Sequence, residues 1–207
     1  MPEEAQVQID VWSDYVCPFC YLEEPVLEQL RQEYGESVQV VWRAFELRPD
    51  PIPTLDPQGE YLRTTWERAV YPMAKERGVT LHLPPVQPRS RKALEAAEFA
   101  RDRGCFEAMH HALFRAFFED GLDLNHLDIL LAIATSIGLD REALSTALET
   151  GQYTERVIND QALAHKLGIS GVPALLIHQA SEPLEASIRL SGAQPYAAVR
   201  TVIEQVR

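Results

Sequence analysis

Cysteine is scarce: the 207 residues hold three, Cys17, Cys20 and Cys105. A count that small and odd excludes a disulfide framework as the source of stability. Long apolar runs are also missing. No stretch approaches the ~18 consecutive apolar residues of a membrane-crossing helix. The opening segment MPEEAQVQID has no basic start, no apolar core and no small-residue cleavage site, so it does not read as a signal peptide. The expected compartment is the cytoplasm, a mature form already stripped of a leader aside. Basic residues are in deficit, 19 against 31 acidic ones, for a formal charge of −12. Such a surface repels nucleic acid and anionic membrane, and neither is expected as a partner. Internal repeats and low-complexity segments are absent.

What is present is ordinary for a soluble globular chain. Hydrophobic residues make up 46% and charged residues 24%, which excludes disordered and collagen-like classes. The length suits one large domain, or one carrying an insertion, with enough core to fold without staples.

Val7 to Trp12 alternates apolar and polar residues, the pattern of a strand with one face on a core. Ser13, Asp14 and Tyr15 lead into Cys17-Pro-Phe-Cys20, with Pro18 suited to a first helical turn. Leu22, Val26, Leu27, Leu30 and Tyr34 follow at helical spacing, and Gly35 ends the run. Pro25 inside it predicts a kink. Val38, Val40, Trp42 and Ala44 predict a second strand. A proline-rich connector, Arg48 to Pro57, then breaks the pattern. From 58 to 167 the apolar spacing is helical throughout, with a kink expected at Pro72 and Asp140 placed to cap a helix. Strand signals return at Ala174–His178 and at Ala186, Ile188 and Leu190, and a last helix is expected over Pro195–Val206. The expected class is α/β: a βαβ half, an all-helical insertion, and a ββα half.

Cys17 and Cys20 carry the chemistry. Their spacing brings both sulfurs within disulfide reach across one helical turn. The first sits at a helix N-terminus, where free N–H groups and the macrodipole favour a thiolate, and the thiolate is the nucleophile. The second lies one turn inward, placed to resolve a mixed disulfide. The competing reading is half of a zinc site, which needs a second ligand pair. No second CxxC exists. His110 and His111 are helix neighbours pointing about 100° apart, and His165 and His178 lack partner spacing. The context favours redox chemistry, with no cofactor and no metal required. Gly171-Val172-Pro173 before the third strand, read alone, is a proline opening an edge strand.

Together these features resemble the DsbA-like thiol:disulfide oxidoreductases of the thioredoxin superfamily, in particular their cytoplasmic FrnE-like branch. The carriers are Asp14-Tyr-Val-Cys-Pro-Phe-Cys-Tyr21, Phe45-Glu-Leu-Arg-Pro49, the stretches Ala93–Ala100 and Ala112–Ala116, Gly168-Ile-Ser-Gly-Val-Pro173 and Ser191-Gly-Ala-Gln194. The resemblance implies a thioredoxin-like domain from residues 1–57 and 168–207, with a helical domain inserted over 58–167. It implies that Cys17 is the nucleophile and Cys20 the resolving thiol, with Pro18 and Phe19 supporting them. It further implies a cis Val172–Pro173 bond facing the pair, whose backbone pairs with substrate and keeps metals away. Two departures stand out. Phe19 occupies the place where periplasmic members carry a thiolate-stabilising histidine, which speaks against a strongly oxidising potential. The second cysteine pair of some FrnE-like proteins is absent.

Blander expectations attach to other residues. Cys105 reads as a small core hydrophobe. Tyr15, Phe19 and Tyr21 fit either a substrate rim or packing. Asp14 and Glu24, near the thiols, fit either tuning of the thiol pKa values or the commoner solvated surface acid, and Arg89 and Arg91 read as surface charge. The expected substrates are disulfide-bearing proteins or small thiols, glutathione among them. Two other functions compete. Kappa-class glutathione transferases and 2-hydroxychromene-2-carboxylate isomerases share the architecture, but generally place serine where Cys17 stands and have no use for Cys20. A chaperone-like binding module would leave both thiols idle.

Overall fold

The computed structural model describes residues 6–207. Strand β1 (Val7–Ser13) enters helix α1 (Pro18–Tyr34), and a 3-10 turn at Gly35–Ser37 leads to β2 (Val38–Ala44). The helical stretch runs α2 (Glu60–Thr65), a π-turn at Trp66–Val70, α3 (Tyr71–Arg77), α4 (Arg91–Arg101), α5 (Phe106–Phe118), α6 (Leu127–Ser136), α7 (Arg141–Thr150) and α8 (Thr154–Lys166). Strands β3 (Ala174–Gln179) and β4 (Ile188–Ser191) and helix α9 (Tyr196–Val206) complete the described chain. The sheet order is β2-β1-β3-β4. β1 and β2 are parallel, in register Val7 to Val38; β1–β3 and β3–β4 are antiparallel. This is the thioredoxin fold.

Alternation along β1 separates two faces. Val7, Ile9 and Val11 are fully buried and pack with Leu27 and Leu30 of α1 and Val199 and Ile203 of α9. The opposite face carries Trp12, Ala174 and Leu176 against Ala164 and Ile169. That second face also buries charge. Asp10 accepts from Arg43 Nε and lies 3.0 Å from His178 Nε2. Asp160 of α8 accepts from the Ala44 N–H at 3.0 Å, which anchors the helical stretch to the edge strand β2.

A third core, built on Trp66, Phe99, Phe114, Phe117 and Phe118, fills the helical stretch and takes in Tyr15, Cys17, Cys20 and Tyr21. The cysteines therefore sit where the sheet's end meets the helical core.

Most expected elements form, and the differences have local causes. At Pro72 the chain makes a π-turn: the Tyr71 N–H reaches back to Trp66 O, five residues away. A π-turn is one way a helix absorbs an interruption of its i−4 ladder. Asp140 caps α7 as expected, its carboxylate accepting from Ala143 N at 2.8 Å. Ala186 falls outside β4, in a 3-10 turn over Leu184–Ala186. α1 continues as helix to Tyr34 with Pro25, the position of the expected kink, inside it.

Candidate functional site

Cys17 caps α1 from an extended conformation, and Pro18 occupies the first helical position. The Cys17 N–H donates to Asp14 O at 3.0 Å. The Cys20 and Tyr21 N–H groups both donate to Cys17 O, at 3.1 and 3.3 Å. The motif is thus folded into one turn, with both thiols free. Cys17 keeps 5% of its surface exposed and Cys20 none, so of the two only the first is open to solvent. Burial pushes the Cys20 thiol well above its ordinary pKa, and the neighbouring Cys17 adds to that, while the Asp14 backbone and Ser13 hydroxyl oppose it.

The loop before β3 closes over this turn. Val172–Pro173 is cis, as is Asp50–Pro51. Cys17 Sγ donates to Val172 O across 3.4 Å. Pro173 is buried and Val172 half-buried. Beside them lies an open groove of about 290 Å³, lined by Gly168–Val172, Arg189 and Ser191. The structure therefore brings Cys17, Cys20, Val172 and Pro173 together. Phe19 and Pro18 remain half-exposed at the rim. Tyr15 and Tyr21, by contrast, are buried against Phe114, with ring centroids 4.9 and 5.3 Å away. They are packing for the helical core.

The acids near the thiols are not solvated, which corrects the sequence expectation. Asp14 is fully buried. Its Oδ2 accepts from Leu47 N at 2.7 Å and its Oδ1 from Val16 N at 3.3 Å. These bonds tie the cysteine loop to the segment after β2. Burial nonetheless raises its pKa to about 6, partly offset by those N–H groups and the Ser90 hydroxyl. Glu24 stands 8% exposed, one turn beyond Cys20. Its Oε1 lies 3.1 Å from His110 Nε2 and 3.0 Å from His111 Nδ1. Burial alone would raise this carboxyl, but the two histidines outweigh it and hold it at about 2. His110 and His111 thus converge on one carboxylate oxygen despite being helix neighbours. His110 also pairs through Nδ1 with the Tyr15 hydroxyl at 2.9 Å.

Arg91 and Arg89 are likewise more than surface charge. Arg91 Nη2 lies 2.6 Å from the buried Glu46 carboxylate, and Arg89 Nη1 donates to Arg48 O at 2.8 Å. Both hold the connectors against the site. Cys105 is half-buried at the start of α5, its thiol donating to Arg103 O at 3.5 Å. Among the described residues no group of three or more His, Cys, Asp or Glu side chains is placed to hold a metal, and no helix is long and apolar enough to cross a membrane.

Sequence reading missed the Tyr15–His110–Glu24–His111 cluster. One signal was available: Glu24 follows Cys20 by four residues, which puts it on the same helix face as a buried cysteine.

The model of the DSBA-like thioredoxin domain matches residues 8–204. The chain belongs to the DSBA-like thioredoxin domain family. The protein YwbO of Bacillus subtilis (strain 168) is 36% identical over 177 residues, which cover 83% of this chain and 86% of that one. Among solved structures, the probable DsbA oxidoreductase SCO1869 from Streptomyces coelicolor superposes with a TM-score of 0.77 at 25% identity, covering 97% of this chain and 89% of its own. Two further structures share the fold. A 2-hydroxychromene-2-carboxylate isomerase does so at TM-score 0.74 and 20% identity, over 96% and 95% of the chains. The cytosolic disulfide reductase DsbM from Pseudomonas aeruginosa, solved with GSH, does so at 0.68 and 18%, over 95% and 93%. In the DSBA-like family member described here, the fold places two free thiols and a cis-proline loop at one end of the sheet.

Proposed function

We propose that this DSBA-like protein is a thiol:disulfide oxidoreductase working through Cys17 and Cys20. The observation that carries the reading is the 3.4 Å approach of Cys17 Sγ to Val172 O, at the start of a helix whose second cysteine is wholly buried. A disulfide entering along the groove beside Val172 meets Cys17 first. Cys17 attacks as thiolate, one substrate sulfur leaves, and a mixed disulfide forms. Cys20 then attacks Cys17 Sγ and releases the second substrate sulfur. The pair is left oxidised by two electrons and the substrate disulfide reduced by two; the reverse sequence oxidises a dithiol.

Protein disulfides and small thiols are the proposed substrates, with glutathione supported by the DsbM complex. The motifs Asp14–Tyr21, Phe45–Pro49 and Gly168–Pro173 support assignment to the FrnE-like, cytoplasmic branch, and Phe19 in place of a histidine argues against a strongly oxidising couple. In the same reading, residues 1–57 and 168–207 form the thioredoxin-like domain and 58–167 an inserted one. The direction of exchange follows the potential: a couple more positive than the cytosolic glutathione poise of about −220 to −260 mV stays reduced there and works as a reductase or isomerase. The isomerase and kappa-class transferase reading has no role for a buried second thiol. The test is insulin-disulfide reduction with glutathione as reductant. Turnover in the wild type and none in Cys17→Ser is expected. Equal rates in both proteins would overturn the proposal.

A further inference from the structure

Cys20 has a proton problem. To attack the mixed disulfide it must lose its proton, yet none of its surface is exposed. A route is visible behind it. The Ser13 side chain adjoins the Cys20 thiol, and the buried Ser13 Oγ makes no hydrogen bond among the described residues. Ser13 lines a cavity of about 20 Å³ together with Tyr15, Trp42, Glu98, Arg101 and His110. That volume admits one water, given polar partners on its walls. Trp42 Nε1, a second buried donor without a protein partner, belongs to the same wall. At the far side Tyr15 Oη and His110 Nδ1 are 2.9 Å apart, and His110 Nε2 lies 3.1 Å from Glu24 Oε1. Beyond Glu24, His111 is about half exposed to solvent.

We propose that His110, oriented by Glu24, takes the proton of Cys20 through Ser13, one bound water and the Tyr15 hydroxyl, and passes it to solvent at His111. The assignment rests on the oxidoreductase reading above. An imidazole between a hydroxyl and an ionised carboxylate resembles a general-base relay: His110 Nε2 and Glu24 Oε1 face each other at 3.1 Å without a formed hydrogen bond, so the carboxylate orients the ring and stabilises the imidazolium by its charge. Glu24 is ionised while His110 holds the proton; the proton then crosses Glu24 Oε1, which His111 Nδ1 approaches at 3.0 Å, and leaves to solvent from the half-exposed His111 ring. The Cys20 S–H bond breaks and its proton moves to the relay. Cys20 Sγ bonds to Cys17 Sγ, the Cys17–substrate S–S bond breaks, and the departing thiolate takes a proton from solvent. Two electrons leave the cysteine pair and two reach the substrate sulfurs. His110 is a positioning and proton-transfer residue and touches no substrate.

The charged and titratable groups facing His110 are Tyr15 from the cysteine loop, Glu24 from α1, Arg43 from β2, Glu98 and Arg101 from α4, and His111 beside it. Glu98 is the rival acceptor, since it lines the same cavity.

The experiment follows single turnover of the reduced protein with oxidised glutathione by rapid mixing and acid quench, from pH 5.5 to 9. Two rates are read: formation of the Cys17 mixed disulfide, and its resolution by Cys20. In His110→Gln, resolution at pH 7 is expected to fall at least about tenfold, within the range that general acid–base groups contribute. Mixed-disulfide formation should hold, and the defect should shrink toward pH 9 as hydroxide replaces the relay. Should that variant not fold, Ser13→Ala removes a single oxygen and is expected to give the same signature. Resolution profiles parallel to wild type in both variants would overturn the relay. A pH-dependent defect in Glu98→Gln with none in His110→Gln would also overturn it, placing the acceptor at Glu98. If no mixed disulfide forms even in wild type, the oxidoreductase reading fails instead, and that result is distinct.

Discussion

Cys17 Sγ and Val172 O lie 3.4 Å apart although 155 residues separate them in the chain. The entire helical stretch is threaded between these two positions, so its packing decides whether the thiol meets the loop. This contact also explains why the first cysteine, at a helix end, is as little as 5% exposed. In the proposed reaction a substrate sulfur displaces the Val172 carbonyl from the thiol.

The two cysteines should therefore separate cleanly in their chemistry. Cys17→Ser is expected to abolish insulin reduction. Cys20→Ser is expected to accumulate mixed disulfides with glutathione, because the resolving thiol is gone. In the reduced native protein a small alkylating agent should label Cys17 well before Cys20. Mass spectrometry of the alkylated peptides reads the order. Faster labelling at Cys20 would reverse the roles.

Phe19 sits half-exposed between the thiols and carries neither a hydrogen-bond donor nor a charge. A histidine there supplies both to the Cys17 thiolate and so stabilises the reduced form. Phe19→His is expected to make the pair more oxidising. A rise of about 30 mV corresponds to roughly 1.4 kcal/mol of such stabilisation. Equilibration with glutathione buffers measures it. An unchanged potential would remove the intervening residue as a control on the couple.

The same residues show where sequence reading succeeds and stops. β1 was legible because Val7, Ile9 and Val11 alternate toward one core, and α7 because Asp140 is a side chain that caps locally. Cys17-Pro-Phe-Cys20 carries its spacing in four residues. Glu24 and His110 are different. They meet from α1 and α5, 86 positions apart, and neither neighbourhood holds a sign of the other. Arg91 and Glu46 meet the same way. An isolated acid reads as solvated, and only the topology turns it into a buried partner. The π-turn before Pro72 was half legible: the proline announced a disturbance but not its form.

Asp14 offers a test by pH. Its folded pKa, about 6, lies above the ordinary 3.8. Between those values the native state binds more protons than the unfolded one, so stability falls as pH rises through this window. Asp14→Asn removes the titration. It should flatten the stability profile between pH 4 and 6 by up to about 1.4 kcal/mol per pH unit. Asparagine offers one oxygen to the two N–H groups of Val16 and Leu47, so a constant loss of about 1–3 kcal/mol accompanies the flattening. Urea denaturation at several pH values separates the two effects. A slope as steep as wild type would exonerate Asp14.

Arg77 ties three segments together. From α3 its Nη1 lies 3.0 Å from the fully buried Glu23 carboxylate of α1 and donates to Leu22 O, and its Nη2 donates to Gln194 O at 2.6 Å. Gln194 N in turn donates to Glu23 Oε2 at 2.8 Å. The helical stretch, the cysteine helix and the loop before α9 thus share one guanidinium. Burial raises the Glu23 pKa from 4.5 to about 7 even with these partners. Arg77→Met leaves the carboxylate without its counter-charge, a loss of about 3–5 kcal/mol when a buried pair is broken from one side. At pH 5, below a pKa of about 7, Glu23 is protonated with or without Arg77, so losing the guanidinium strands little charge. At pH 8 it must either stay ionised in the core or draw a proton at a cost. The variant should therefore be more impaired at pH 8 than at pH 5, and adding Glu23→Gln should erase the difference. Denaturation midpoints of the single and double variants at both pH values provide the measurement. An equal loss at pH 5 and pH 8 would mean that Arg77 acts through its two carbonyl bonds alone, and that the charge of Glu23 plays no part in holding the helical stretch to the cysteine helix.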